Sequence, residues 1–218
     1  MVFVPFSPDA KAWELIAIGL RRLANIGEDE TPDPEVLAAA VGLCMVDAHF
    51  ALADFSEADR DHLLVSQSRS WSGGVYPVPL PDGRYICILN PNHIRRRNRI
   101  TLMEEVVHVH LRHRPSGLRD IMPGLRLREY HKEHEREAYG VGAAVLLPWA
   151  QFYPCLDAGM AVSEMAERFD VTEKLVKYRI GITAATNLYR HRCRRNADQG
   201  RFAADGAVGG QSSRRGIV

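Results

Sequence analysis

Glu104 and His108 stand four residues apart within the stretch Ile100–Leu111, and Glu105 lies directly after the first of them. On a helix, residues four apart share a face, whereas the next residue is rotated by about 100° around the axis. The segment therefore reads as a helix from about Arg99 to His113, with a carboxylate and an imidazole projecting together and a second carboxylate beside them. That set suits two metal ligands plus a general base next to a bound water. A chain that carries such a helix must supply a third ligand from another element and leave one coordination position open.

The rest of the chain can be laid out around this helix. Trp13, Ile16, Leu20 and Leu23 recur at helical spacing after Asp9, which is suited to cap a first helix. A loop from Gly27 leads into a short helix at Pro34 to Ala40, with proline near its start. Gly42 to Val46 reads as a strand, and Phe55 to Leu64 as a short helix capped by Ser56. Val75–Leu80 and Arg84–Leu89 flank Pro81-Asp82-Gly83 and form the clearest hairpin signal. Pro77 and Pro79 each remove an amide donor, which places the first of these strands at an edge. After the motif helix, Pro115, Gly117, Pro123 and Gly124 indicate a loop, and a long helix follows from Tyr130 to Leu147, stopped by Pro148. Val162–Phe169 and Thr172–Ile180 read as two helices joined by a tight turn, with Met165, Ala166, Phe169, Leu175 and Val176 as their small core. From Asn196 onward the chain is poor in apolar residues and is expected to be disordered.

The helix after the motif opens with His131-Lys132-Glu133-His134-Glu135-Arg136-Glu137. From Glu135, the positions three, seven and ten on are Ala138, Gly142 and Val145, a narrow stripe that lets two helices approach closely. This favours Glu135 as the third ligand, with Glu137 and His134 as reserves. His110 and His113 continue the motif helix, and His131, His134, Tyr130 and Tyr139 are further candidates for a proton donor.

The pentad has the frame of H-E-x-x-H with glutamate at the first ligand position. With its neighbours, it resembles the active helix of the ImmA/IrrE family of zinc metallopeptidases. The hairpin before it, the Glu135-to-Pro148 helix and the later Met165–Arg179 segment match in order, so that the resemblance spans roughly Gly42 to Ile180. It implies an α+β fold: a small antiparallel sheet packed on a zincin-like helical core, plus a C-terminal helix-turn-helix-like segment. The implied organisation is a peptidase-like domain at 1–160, the helix-turn-helix-like segment packed on it at 161–195, and a disordered tail at 196–218. Carried over residue by residue, Glu105 matches the catalytic glutamate, His108 the second histidine ligand and Glu135 the third ligand. Glu104 departs from the first histidine, and Tyr139 stands where the family usually has a small polar residue.

Glutamate is a legitimate zinc ligand, but two carboxylates and a neutral imidazole cancel the charge of Zn²⁺, so bound water becomes less acidic. A site richer in oxygen also admits Mn²⁺ or Fe²⁺. The resemblance implies a zinc-dependent endopeptidase that cleaves a regulatory protein such as a helix-turn-helix repressor. The alternatives are an inactive member of the fold that binds a regulatory partner, and a DNA-binding regulator reading through Val162–Ile180. Glu173, Lys174 and Lys177 are mixed in sign and the net charge is only +1, which argues against nucleic acid. The runs Arg95–Arg99 and Arg190–Arg195 are local basic patches, read as solvated surface or as docking sites. Four cysteines without a C-x-x-C pair, and no long apolar run, point to a cytoplasmic protein with no membrane span.

Overall fold

The computed structural model describes residues 6–27, 29–66 and 70–208, with side chains described as far as Ala197. Helix α1 (Pro8–Leu23) is capped by Ser7, whose Oγ accepts from the Ala10 amide, so the cap falls two residues before the expected Asp9. Helix α2 (Pro34–Ala40) has Asp33 as its cap and proline at its first turn. Strand β1 (Leu43–Val46) follows, then two short helices, α3 (Ala48–Ala51) and α4 (Glu57–Asp61). The cap of α4 is Ser56, and the chain runs on as a wider π-turn over His62–Ser66.

Strands β2 (Gly73–Val75) and β3 (Tyr85–Leu89) form the expected hairpin, closed through Tyr76 N–H to Ile86 O and Leu80 N–H to Arg84 O. Regular pairing stops at Val75, because Pro77 and Pro79 have no amide to donate. β3 is the central strand of the order β1-β3-β2, and β1 joins it in parallel, so the sheet is mixed. Gly73 and Gly74 let β2 lie close to its neighbours. A Cβ at Gly73 would meet Ile88 O at 2.9 Å, and one at Gly74 would meet Leu127 at 2.9 Å.

The motif helix α5 spans Arg95–His110, starting four residues earlier than expected and ending three earlier. The segment read as a loop after it is a second hairpin, β4 (Gly117–Met122) and β5 (Leu125–Glu129), turning at Gly124 with φ +85°. Helix α6 (Lys132–Leu146) comes next, then α7 (Trp149–Asp157), which the sequence reading lacked. α8 (Val162–Arg168) and α9 (Glu173–Ile182) are the expected pair, and their five core residues are all buried. Helix α10 (Thr186–Val208) passes through Asn196, where a disordered tail was expected to begin; residues 209–218 lie outside the described residues. Side chains hold its first turns: Arg192 pairs with Asp157, and Asn196 Nδ2 donates to Ala158 O at 2.8 Å.

The fold is α+β, with the small sheet on one side of a helical core. The larger apolar cluster gathers Trp13, Leu20, Met103, Val106, Val141, Val145, Phe152 and Leu175 among others. A second cluster, with Leu52, Leu63, Trp71, Ile88 and Leu127, fills the space beneath the two hairpins. Helix α6 lies deepest, with both of its flanks occupied. At Gly140 a Cβ would stand 2.2 Å from the Trp13 ring of α1, and at Gly142 one would stand 3.1 Å from Met103 Cβ of α5. The small-residue stripe does what its spacing suggested and brings α6 against the motif helix. Among the described residues, no helix is long and apolar enough to cross a membrane.

Candidate metal centre

The start of α5 is crowded with cations, an unfavourable charge for a helix N-terminus. Asp170, in the turn between α8 and α9, answers them. Its carboxylate lies 2.9 Å from Arg95 Nη2, 3.2 Å from Arg96 Nε and 3.6 Å from Arg99 Nε. Arg99 Nη2 also donates to Pro32 O, and Arg97 Nη2 to Ser72 Oγ. The basic run is thus taken up by contacts within the chain, and it fixes the motif helix to the helix-turn-helix-like segment.

The far end of α5 closes in a Schellman turn. Arg112 takes φ +55°, its amide bonds to Val109 O, and the His113 amide bonds to His108 O at 3.0 Å. The turn ends the helix before His113 and folds that residue back over His108. The two imidazoles meet through their Nδ1 atoms at 2.9 Å. His113 Nε2 lies 3.1 Å from Glu137 Oε2 on α6, and His108 Nε2 faces Glu135 Oε2 at 3.7 Å. Aromatic faces clamp both rings: Tyr130 stacks on His108 at 3.6 Å, and His134 on His113 at 4.2 Å. His108 is buried, and burial lowers the pKa of His113, with His108 and His134 adding to the effect against Glu137.

The two adjacent glutamates are short of compensating charge. Burial raises the Glu104 carboxyl to about 8, with Glu105 and Glu135 reinforcing it. Burial likewise raises Glu105 to about 8, and Glu135 adds to it. Glu105 Oε2 is buried without a hydrogen-bond partner. Near them, burial pushes Tyr130 up to about 12, with Glu105 contributing, and Tyr139 up to about 12, with Glu104 contributing. Tyr139 packs edge-on against Tyr178 of α9. His110 is partly exposed and lowered by burial, and His131 is exposed at the start of α6.

Two of the expected ligands fit a divalent cation. Ligand atoms about 2.0–2.2 Å from one ion stand a little over 3 Å apart in a tetrahedral site, so the 3.7 Å gap between His108 and Glu135 accommodates one. Glu104 feels the charge of Glu135 but does not complete the set. Among the described residues, no three His, Cys, Asp or Glu side chains come together as a metal-holding group. The part played by Glu137 and His113 was not legible in the sequence. His113 reaches His108 through a turn rather than by helical spacing, and Arg112, an uncommon residue to find at positive φ, gave no glycine signal for that turn.

No curated protein matches the chain. A solved structure, a Mycobacterium tuberculosis transcriptional regulator, is similar at a TM-score of 0.47 and 12% identity; the match covers 78% of this chain and 46% of that one. The chain thus spans less than half the length of that protein. Residues 53–181, from the end of α3 to the last turn of α9, match the family described as the IrrE N-terminal-like domain, Peptidase_M78. That region contains α5, α6 and all the residues of the centre, and the chain belongs to this family.

Proposed function

We propose that this protein is a metal-dependent endopeptidase that cleaves a regulatory protein, such as a helix-turn-helix repressor of transcription. The observation that carries the reading is the pair His108 Nε2 and Glu135 Oε2, facing each other at 3.7 Å beside the unpartnered Glu105 Oε2. Two electron-pair donors and an adjacent carboxylate with no partner make a place that calls for a cation and a water. His108 and Glu135 would hold the ion, and Glu104, on the same helix face as His108, would have to turn toward them to serve as the third ligand. Zn²⁺ suits this set, and its oxygen content also admits Mn²⁺ or Fe²⁺. A bound divalent ion supplies acidification of water and polarisation of the scissile carbonyl. Glu105 would take the proton from the attacking water and pass it to the leaving amine.

The second reading is an inactive member of the fold that binds a regulatory partner. It is supported by Glu104, whose carboxyl at about 8 keeps its proton at neutral pH unless a cation displaces it. One experiment separates the two. Glu105→Gln should lower the hydrolysis of a candidate repressor or a quenched-peptide library by about 10²–10⁴-fold while leaving zinc binding intact. Cleavage or partner regulation that is unchanged in this variant would rule out the enzyme. So would less than one divalent ion per few chains on metal analysis of the purified protein.

A further inference from the structure

The contact between His108 and His113 admits two proton arrangements, and its neighbours decide between them. Glu137, as a carboxylate, can only accept a hydrogen bond. Its Oε2 lies 3.1 Å from His113 Nε2, so that nitrogen must carry a proton. A neutral His113 then has a bare Nδ1, and the 2.9 Å contact requires His108 Nδ1 to be the donor. His108 in turn has a bare Nε2, and this is the atom that faces Glu135 Oε2 at 3.7 Å. If His113 Nδ1 donated instead, a neutral His113 would set its Nε2 lone pair against the Glu137 carboxylate. The Schellman turn at Arg112 fixes the separation of the two rings, and the stacked faces of Tyr130 and His134 hold their planes.

We propose that Glu137 and His113 are positioning residues, which by a directed chain of two hydrogen bonds hold His108 in the tautomer that presents its Nε2 lone pair toward Glu135. The tautomer follows from the contacts alone; its consequence for a cation rests on the function proposed above. In this arrangement two acceptor atoms face each other across 3.7 Å with no hydrogen between them, an unfavourable pairing that a cation relieves. Tyr130 and His134 keep the rings in register but carry no proton in the chain.

The test uses the full chain, metal-free and labelled with ¹⁵N-histidine. Long-range ¹H–¹⁵N spectra distinguish protonated from bare ring nitrogens, and His108→Asn assigns the signals. The expected result is His108 protonated at Nδ1 and bare at Nε2. Glu137→Ala should mix the two tautomers of His108 and weaken binding of Zn²⁺ roughly 10–100-fold. Glu137→Gln, which keeps an acceptor oxygen, should restore both. A wild-type His108 that carries its proton on Nε2 would overturn the proposal. So would a Glu137→Ala variant with tautomer and zinc affinity both unmoved. If Glu137→Ala shifts the tautomer as described but neither it nor the wild type binds zinc, the positioning chain stands and the hydrolase reading falls.

Discussion

The two flanks of α6 bury glutamates in opposite circumstances. On the α1 side, Glu14 is buried with its oxygens fully engaged: Oε1 accepts from the Trp149 amide at 2.6 Å, and Oε2 pairs with Arg179. Arg179 is itself completely buried and also donates from Nε to Leu147 O at 3.1 Å. On the α5 side, Glu105 has a buried oxygen with no partner, a like-charged neighbour on each side of the gap, and a carboxyl raised to about 8. The same side chain is structural where its hydrogen bonds are complete and chemically poised where they are not. Burial alone does not mark a functional carboxylate; burial with an unsatisfied atom facing a neighbouring donor set does.

The largest effect should come from breaking the satisfied flank. Arg179→Ala leaves Glu14 buried without its counter-ion, and urea unfolding should show a loss of about 3–5 kcal/mol. Pairing it with Glu14→Leu should return part of that stability, because the stranded charge is then gone. Next comes Gly140→Ala, which drives a methyl into the Trp13 ring and should cost about 1–3 kcal/mol. The corresponding change on the α5 flank, Gly142→Ala, meets Met103 Cβ at 3.1 Å and the flexible end of Ile100 at 3.2 Å, and should cost less than about 1 kcal/mol. If the two glycine variants lost equal stability, the flanks would not differ in closeness of packing as described.

The smallest effect is the most diagnostic. Glu104 and Glu105 hold their protons more tightly when folded, with pKa values near 8 against an ordinary 4.5. The folded state therefore binds more protons than the unfolded one across that window. The stability these groups contribute is fully present below about pH 4.5 and is lost as pH rises through about 8. The melting temperature of the metal-free protein should fall between pH 5 and 9, and Glu105→Gln should flatten the fall, gaining about 1 kcal/mol at the upper end. Zinc should suppress the dependence in the wild type. A melting temperature that rose over the same range would break the contrast between the two carboxylates.

Much of the centre was legible because it depends on local spacing. Glu104 and His108 are one helical turn apart, and the Glu135 stripe follows the helical period, so both could be read from a single segment. The same holds for α2, for the hairpin turn at Pro81-Asp82-Gly83 and for the α8–α9 pair. What escaped depends on how distant segments dock. The β4–β5 hairpin exposes most of β4, so Gly117-Leu118-Arg119-Asp120 shows no alternation, and only its turn residues were visible. Asp170 lies 74 residues from the Arg96 it holds, and Glu14 lies 165 from Arg179, so no spacing rule connects either pair. The His113–Glu137 contact needed both the closing turn of α5 and the approach of α6.

The close fit of Trp13 on Gly140 bears on where this protein can be cut. The segment shared with the family begins at residue 53, and α1 lies wholly before it. Yet the backbone of α6 has been left bare at one residue to receive an indole from α1, and the buried guanidinium of α9 pairs with the Glu14 carboxylate of that same helix. A fragment trimmed to the shared segment would open a slot the width of an aromatic ring against the deepest helix and leave Arg179 charged in apolar surroundings. The smallest piece that folds is therefore expected to be larger than the piece that matches the family, and the helix outside the matched range serves as the keystone of the part within it.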